Sequence, residues 1–312
     1  MSLSARSKRP TTRSMTVSLS VLLLALANTG LGAQLQAHAA THAPAGSARL
    51  LPLGNGHVST EPQVGYVFSC RTTFNGRGAH GGPWISGTEW DPAAKPVVSG
   101  NVAWPNARIT ITLEGDQRVI RANNLPTHPT GVFPIQPSDS AYRYDRNPNG
   151  IREQNILLTL PAVPRPAATP SCVPMGMIGF AVTGVALYNA LDAAGMDAVA
   201  NEIQDRCNGH PQMIGQYHYH NASACLADTA GAHGKHSDLI GYALDGYGIY
   251  GMHGEHGEAL TNADLDACHG HEHVIAWNGQ MVKMYHYHAT AEYPYTVGCF
   301  HGTPLRRGGR GN

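Results

Sequence analysis

Two short runs of alternating tyrosine and histidine are the residues of this chain best suited to chemistry. They are Tyr217-His218-Tyr219-His220 and Tyr285-His286-Tyr287-His288. Because successive side chains of a β-strand point to opposite faces, each run places its two histidines on one face and its two tyrosines on the other. Imidazole nitrogens bind zinc, copper, iron and nickel. If the two strands lie near each other, the four imidazoles converge, so the runs predict a metal site.

More histidines lie close to these runs. Of the 18 histidines, 13 lie at or after His210. His210 and His271 each follow a cysteine by three residues, Cys207 in one case and Cys268 in the other. We expect His210 and His271 to be additional metal ligands. Copper or zinc suits an imidazole site without a fixed carboxylate better than iron does.

A hydrolytic site is the first alternative. Asp245 lies in a glycine-rich turn, and His236 precedes it by nine residues. A histidine and a carboxylate can activate water with or without a metal, so Asp245 and His236 are the predicted catalytic residues of a hydrolase. An ordinary turn aspartate explains Asp245 equally well. His269 and His273, beside glycines, are interpreted as loop residues.

A structural role is the second alternative. If the tyrosines pack in the core and the histidines contact neighbouring backbone, the runs serve the fold alone, as in a structural or adhesive surface module. Calcium is not expected. Asp145-Arg146-Asn147-Pro148-Asn149-Gly150 opens like a calcium-binding loop, but its twelfth position, where a carboxylate is needed, is Ile156.

The two runs belong to a unit that occurs twice. Ile178-Gly179 opens the first copy and Ile240-Gly241 the second, and each is followed by a glycine-containing turn at Gly184 or Gly246. We expect a strand, a turn and a second strand in each copy, and one short helix over Asp197–Ile203 in the first. The units span about 174–229 and 236–303.

The repeat also organises the six cysteines, all of which follow the basic N-terminal segment. Symmetry favours Cys207–Cys225 and Cys268–Cys299, each within one unit, and this leaves Cys70–Cys172. The spacing typical of cysteine-rich metal sites is absent, which favours disulfides.

Short alternating segments predict a mainly β fold with short helices, with an α+β arrangement as the alternative. Ile109, Ile111 and Leu113 alternate along 108–114, and further strands are expected at 118–121 and 156–160. The segment 161–174 contains five prolines and is predicted to be irregular. The two repeat units are expected to pack into one disulfide-clipped domain over 64–304.

The N-terminal region predicts export. A basic start and an apolar run ending near Ala27 precede small residues at Ala37-His38-Ala39, which is typical of a signal peptide over 1–39. Residues 40–63 are predicted to be a linker. The protein is therefore expected outside the cytoplasm, extracellular or periplasmic, without stable membrane insertion after cleavage.

The charge balance constrains partners. The chain has 21 basic and 21 acidic residues, so no basic surface is predicted for nucleic acid. A cell-surface or extracellular polymer is the candidate partner.

The chain resembles the YHYH family, which is named for the tyrosine–histidine runs. The segment from His236 to Gly246, followed by Ile249-Tyr250-Gly251, is similar to the central motif of that family, and 292–300 is similar to its closing motif. Tyr247-Gly248 departs from the aromatic residue followed by proline expected there. The resemblance covers at least 172–304 and implies a secreted or surface protein, largely bacterial, but no established activity.

Overall fold

A mixed β-sheet of eight strands lies at the centre of the protein. The computed structural model describes residues 50–79, 81–226 and 234–305. In chain order the strands are β1 Leu51–Pro52, β2 Val58–Ser59, β3 Val67–Phe68, β4 Ile85–Ser86, β5 Glu89–Trp90, β6 Ile109–Glu114, β7 Gln117–Ala122, β8 Ile156–Pro161, β9 Pro166–Ser171, β10 Met177–Ala181, β11 Ala186–Tyr188, β12 Gly209–Pro211, β13 Tyr217–Tyr219, β14 Leu239–Ala243, β15 Gly248–Tyr250, β16 Gly270–Trp277, β17 Gln280–His288 and β18 Phe300–Gly302.

The two four-stranded halves of this sheet have the same pattern of parallel and antiparallel pairing. Its spatial order is β12-β13-β11-β10-β14-β15-β17-β16. In the first half, β10 is antiparallel to β11, β11 is parallel to β13, and β12 is antiparallel to β13. The second half pairs β14, β15, β17 and β16 in the same way. The halves meet at the antiparallel pair β10–β14. Origin from a tandem repeat stays a prediction.

The mainly β fold class is confirmed, because helices are few and short in the described residues. The helix α1 covers Ala198–Asn201, inside the predicted range, and Asp197 caps its N-terminus. In the part of the chain that the structure describes, 3-10 helices cover Ser140–Arg143 and Asn262–Asp264. The expected strand–turn–strand unit is also present in both copies. Gly184 and Gly246 form its turns with φ of 84° and 91°, a region that favours glycine.

Smaller sheets surround the central one. The strands β6, β7 and β8 lie where strands were predicted, and they form a three-stranded antiparallel sheet. The prediction that 161–174 is irregular is wrong, because β9 pairs with β18 in a two-stranded sheet. Proline is compatible with such a ladder because each strand is an edge and need not donate on both sides.

Three disulfides join the cysteines as symmetry predicted: Cys70–Cys172, Cys207–Cys225 and Cys268–Cys299. The first links sequence positions 102 residues apart and joins the chain just after β3 to the residue that follows β9. Of the other two, Cys207–Cys225 encloses β12 and β13, and Cys268–Cys299 encloses β16 and β17, so each closes a segment of chain that belongs to one half of the central sheet.

The described part of the predicted linker packs on the core. Leu51 is buried, and the backbone N–H of Gly54 donates to Asp197 at 3.0 Å. The predicted signal peptide lies outside the described residues. None of the helices in the described ranges has the length and apolar character needed to span a bilayer.

Candidate functional site: two histidine clusters

The tyrosines of both runs lie in the hydrophobic core. Tyr217, Tyr219 and Tyr287 are fully buried, and Tyr285 nearly so. Tyr217 donates to Asp205 at 2.9 Å, and Tyr285 donates to Asp266 at the same distance. Both aspartates also accept backbone N–H groups of the turn that follows them. One face of each run therefore serves the fold, as alternation predicted.

Asp245 lies on this tyrosine side. Its carboxylate accepts hydrogen bonds from the Tyr287 hydroxyl at 2.5 Å and from the Gly302 N–H at 2.9 Å. Thr183, at the matching position of the first copy, contacts the Tyr219 hydroxyl at 3.1 Å. Burial raises the pKa of Asp245, while the hydrogen bond from Tyr287 lowers it. These contacts give Asp245 a clear structural partner in the second half of the sheet.

On the opposite face of β13, three histidines form a buried cluster. His210, His218 and His220, called the three-histidine cluster below, are each about 3% exposed. The strand register places His210 beside His218. One ring nitrogen of each histidine lies within 4.8 Å of the others, and the Nε2 atoms of His218 and His220 are 3.1 Å apart.

Backbone carbonyls fix the orientation of two of these rings. His218 Nδ1 lies 3.1 Å from the carbonyl of Gln216, and His220 Nδ1 lies 2.5 Å from that of Asn189. A carbonyl oxygen only accepts, so each Nδ1 is the donor and carries the proton. In a neutral ring, Nε2 then presents a lone pair to the cluster. Burial lowers the pKa of His220 to about 4 and that of His218 well below its usual value, which keeps both rings neutral.

A second group of histidines occupies the other half of the sheet. We call His236, His273, His286 and His288 the four-histidine cluster. His286 and His288 are fully buried, whereas His236 and His273 are partly exposed. The Nε2 of His236 lies 3.4 Å from that of His286 and 3.1 Å from that of His288. The Nε2 atoms of His286 and His273 are 3.1 Å apart.

The same orientation by carbonyls occurs here. His286 Nδ1 donates to Met284 at 3.1 Å, and His288 Nδ1 donates to Gly251 at 2.7 Å. Their acceptors match those of the first cluster, because Gln216 and Met284 each lie two residues before the donor, and Asn189 and Gly251 each follow the last residue of a strand. Burial lowers the pKa of His286 to about 3. Both clusters therefore present unprotonated Nε2 atoms to their interior.

His273 completes this pattern. Its Nδ1 donates to the carbonyl of Val274 at 3.1 Å. The interpretation of His273 as a loop residue is wrong, because it lies in β16 two positions after His271. Alternation along β16 would have placed the two histidines on one face, and that signal was available in the sequence.

The two runs do not form one joint site. Four strands separate β13 from β17 in the sheet, so a spacing of about 4.8 Å per strand places the runs about 24 Å apart. The structure brings His210, His218 and His220 together, and separately His286 and His288. The expected convergence of all four run histidines is therefore wrong, because each run pairs in parallel with a strand of its own half.

The remaining predicted residues lie near these clusters. His271 is opposite His286 in the strand register, and its ring centre is 4.9 Å from those of His286 and His288. It lies outside the group whose nitrogens approach within 4.8 Å. His236, predicted as catalytic, is a member of the four-histidine cluster, and its catalytic role stays a prediction.

One functional candidate was missed in the first half. Glu202 follows α1, and its Oε2 atom lies 3.5 Å from the Nε2 atoms of both His210 and His220. It lay inside the predicted helix without any histidine nearby in sequence, so the sequence offered no specific signal.

A third group, His128 with Cys207 and Cys225, is not a comparable site. Metal binding by cysteine requires thiolates, and these two cysteines are joined in a disulfide. His128 is hydrogen-bonded to the Tyr219 hydroxyl instead.

The match to a known protein family covers the first half of the central sheet and the start of its second half. The motifs at His236–Gly246 and Tyr217–His220 fall within one matched region. Residues 157–259 match the family model described as YHYH protein. The chain therefore carries a YHYH domain, and the resemblance inferred from the motifs is confirmed. The matched region includes the three-histidine cluster and His236, and it ends before the second run. No curated protein and no solved structure matches the chain.

The geometry of both clusters suits a metal ion. Two imidazole nitrogens on one tetrahedral zinc are about 3.4 Å apart, because each Zn–N bond is about 2.0–2.1 Å. The Nε2 separations of 3.1–3.4 Å in the two clusters are close to this value. Histidines that donate Nδ1–H to a carbonyl are also typical metal ligands, since that bond fixes the ring and its tautomer.

Proposed function

We propose that this protein is a secreted metal-binding protein that holds copper or zinc in the two histidine clusters of its YHYH domain and of the adjoining half-sheet. One observation carries the proposal. In both clusters, Nε2 atoms that have no proton face each other at hydrogen-bond distance, while each matching Nδ1–H is bound to a backbone carbonyl.

The lone pairs of the facing Nε2 atoms favour a bound cation. Two unprotonated nitrogens 3.1 Å apart repel each other and cannot form a hydrogen bond. Protonating one ring would relieve the repulsion, but burial opposes the charge, as the lowered pKa values of His220 and His286 indicate. A bound metal cation attracts both lone pairs at once, so it is the ligand that this arrangement fits best.

The compartment and partners follow from simpler facts. Three disulfides favour an oxidising environment outside the cytoplasm. With equal numbers of basic and acidic residues, the protein is proposed to act without nucleic acid. Handling of metal ions outside the cytoplasm, including at an extracellular polymer, is the proposed role. The hydrolase alternative needs Asp245 beside a histidine, whereas its carboxylate accepts hydrogen bonds from Tyr287 and Gly302.

The test is elemental analysis of the untagged protein after incubation with zinc or copper and removal of unbound metal. We expect two equivalents in the parent protein. The double variants His218→Asn/His220→Asn and His286→Asn/His288→Asn should each retain one, because each removes one cluster. Asparagine keeps an N–H donor near the position of Nδ1, which limits disruption of the backbone contact.

His301→Asn is the control, since that ring stacks on Tyr285 at 3.7 Å, on the tyrosine side of the run. This variant should keep both equivalents. A folded parent protein that binds no zinc or copper would sink the proposal and leave the histidines as determinants of the fold.

A further inference from the structure

Within residues 50–79, 81–226 and 234–305, a carboxylate lies beside the three-histidine cluster, and the group of candidate metal-binding side chains at the four-histidine cluster consists of histidines alone. Glu202 places its Oε2 atom 3.5 Å from the Nε2 of His210 and 3.5 Å from that of His220. This oxygen is fully buried and has no hydrogen-bond partner, although the side chain as a whole is 18% exposed. Both ring nitrogens of His210 are likewise buried without a hydrogen-bond partner.

Such unpaired atoms are costly in a folded protein. A buried polar atom without a partner costs about 1–3 kcal/mol, and more if it is charged. Here three such atoms, Glu202 Oε2 and the two ring nitrogens of His210, occur beside the Nε2 lone pairs of His218 and His220. A neutral imidazole has one lone pair, so four acceptors lie together: the Glu202 oxygen and one nitrogen from each of the three histidines. A cation at that point would satisfy these four acceptors together.

We propose that Glu202 is the fourth ligand, with His210, His218 and His220, of a closed site for a divalent ion of the zinc class, whereas the four-histidine cluster is an open site that exchanges its ion. This inference rests on the proposed function and makes its two sites chemically different. Each site offers four side-chain ligands, so closed and open refer here to solvent access: the histidines of the first site are buried, whereas His236 and His273 of the second are partly exposed.

Charge explains why the buried site has the carboxylate. Four neutral imidazoles leave both charges of a divalent ion uncompensated, and isolated charge is expensive in a water-free interior. One carboxylate halves the net charge of the site. At the four-histidine cluster His236 and His273 are partly exposed, so water can approach the ion and solvate its charge.

Burial predicts a kinetic difference. Every histidine of the three-histidine cluster is about 3% exposed, so a chelator reaches that ion only after local opening of the protein. At the four-histidine cluster a chelator can approach past His236 and His273, because their side chains are partly exposed. Zinc release to an excess chelator should therefore occur in two phases of about one equivalent each.

The experiment follows release of zinc from the loaded protein to EDTA with a metal-indicator dye. In the parent protein we expect the slow equivalent to leave at least tenfold more slowly than the fast one. Glu202→Gln should accelerate or abolish the slow phase and leave the fast phase unchanged. Glu202→Asp, which keeps a carboxylate, should restore part of the slow phase, and His273→Asn should affect the fast phase alone.

The control for loss of a negative charge is Glu272→Gln. Glu272 lies between His271 and His273 in β16, and its side chain is 57% exposed and paired with Lys283. This variant should keep both phases at their parent rates.

The outcomes separate this inference from the proposed function. If Glu202→Gln binds two equivalents and releases both at the parent rates, Glu202 is not a ligand, and metal binding by the histidines still stands. If the parent protein binds no zinc, the proposed function itself fails. Should Glu202→Gln fail to fold, the parent protein decides the matter alone, because release of both equivalents in one fast phase would overturn the closed site.

Discussion

At the scale of single residues, the orientation of each imidazole depends on the backbone. His218, His220, His286 and His288 all direct Nδ1–H to a carbonyl oxygen, so the sheet itself selects the tautomer. If a cation binds as proposed, this arrangement orients Nε2 beforehand and reduces the cost of ordering the ligands. The chemistry of the clusters therefore belongs to the fold as much as to the histidines.

The residue types of the site were predictable, whereas their grouping was only partly so. Alternation placed His218 with His220 and His286 with His288, and both pairs are observed. It could not place Glu202 beside His220, because α1 approaches the cluster only through tertiary packing. Nor could it show that the two runs lie in different halves of one sheet.

The lowered pKa of Lys95 gives a further prediction at the scale of single residues. Its ammonium donates to the Val199 carbonyl at 2.5 Å and to Gln204. Burial lowers the pKa of Lys95 to about 7, with Asp197, Glu202 and Asp145 opposing the shift. Between pH 7 and pH 10.5 the unfolded chain therefore binds more protons than the folded protein, and the free energy of unfolding rises with pH.

The variant Lys95→Met removes this titration. We expect the free energy of unfolding of the metal-free protein to depend less steeply on pH, by about 1 kcal/mol per pH unit, between about pH 7.5 and pH 9.5. Urea unfolding at several pH values measures the slope. Equal slopes in the parent protein and the variant would contradict a lowered pKa at Lys95.

At the scale of elements, the central strand pair joins the two halves of the sheet. The strands β10 and β14 approach so closely that a Cβ on Gly241 would lie 2.8 Å from the carbonyl oxygen of Phe180. A Cβ on Gly179 would likewise lie 2.8 Å from the carbonyl oxygen of Tyr242. The glycine that follows isoleucine at the opening of each unit is thus required where the halves meet, and the sequence alone did not reveal this.

Gly241→Ala should destabilise the protein, because the obstructing atoms belong to backbone that cannot move aside. Forcing an extra carbon into such a site costs about 1–3 kcal/mol. Gly150→Ala is the matched control, since its nearest neighbour would be 3.8 Å from the added carbon. Thermal unfolding measures both. A variant Gly241→Ala as stable as Gly150→Ala would show that the central pair can separate at little cost.

Strands with alternating apolar residues were predictable, whereas a strand rich in proline was not. The strands β6, β7 and β8 followed from alternation of apolar residues. The strand β9 did not, because its prolines disguise an edge strand that needs only β18 as a partner. Local patterns predicted strands, but the partner of a strand is decided by distant parts of the chain.

At the scale of the whole molecule, the sheet holds two histidine clusters in two halves with equivalent pairing. The disulfides Cys207–Cys225 and Cys268–Cys299 lie one in each half. The side chains of the two clusters differ, with Glu202 beside one and His236 and His273 in the other, while a tyrosine of each run donates to an aspartate in both halves. Symmetry in the sequence predicted the disulfides, and it could not predict this difference.

The most direct test of the central claim is anomalous X-ray diffraction from crystals of the zinc-loaded protein, recorded on both sides of the zinc absorption edge. The account predicts two anomalous peaks, each about 2.0–2.1 Å from the Nε2 atoms of its cluster. One should lie among His210, His218 and His220, and the other among His236, His273, His286 and His288. Well-ordered clusters without a peak in either, under conditions in which zinc is present in excess, would contradict it.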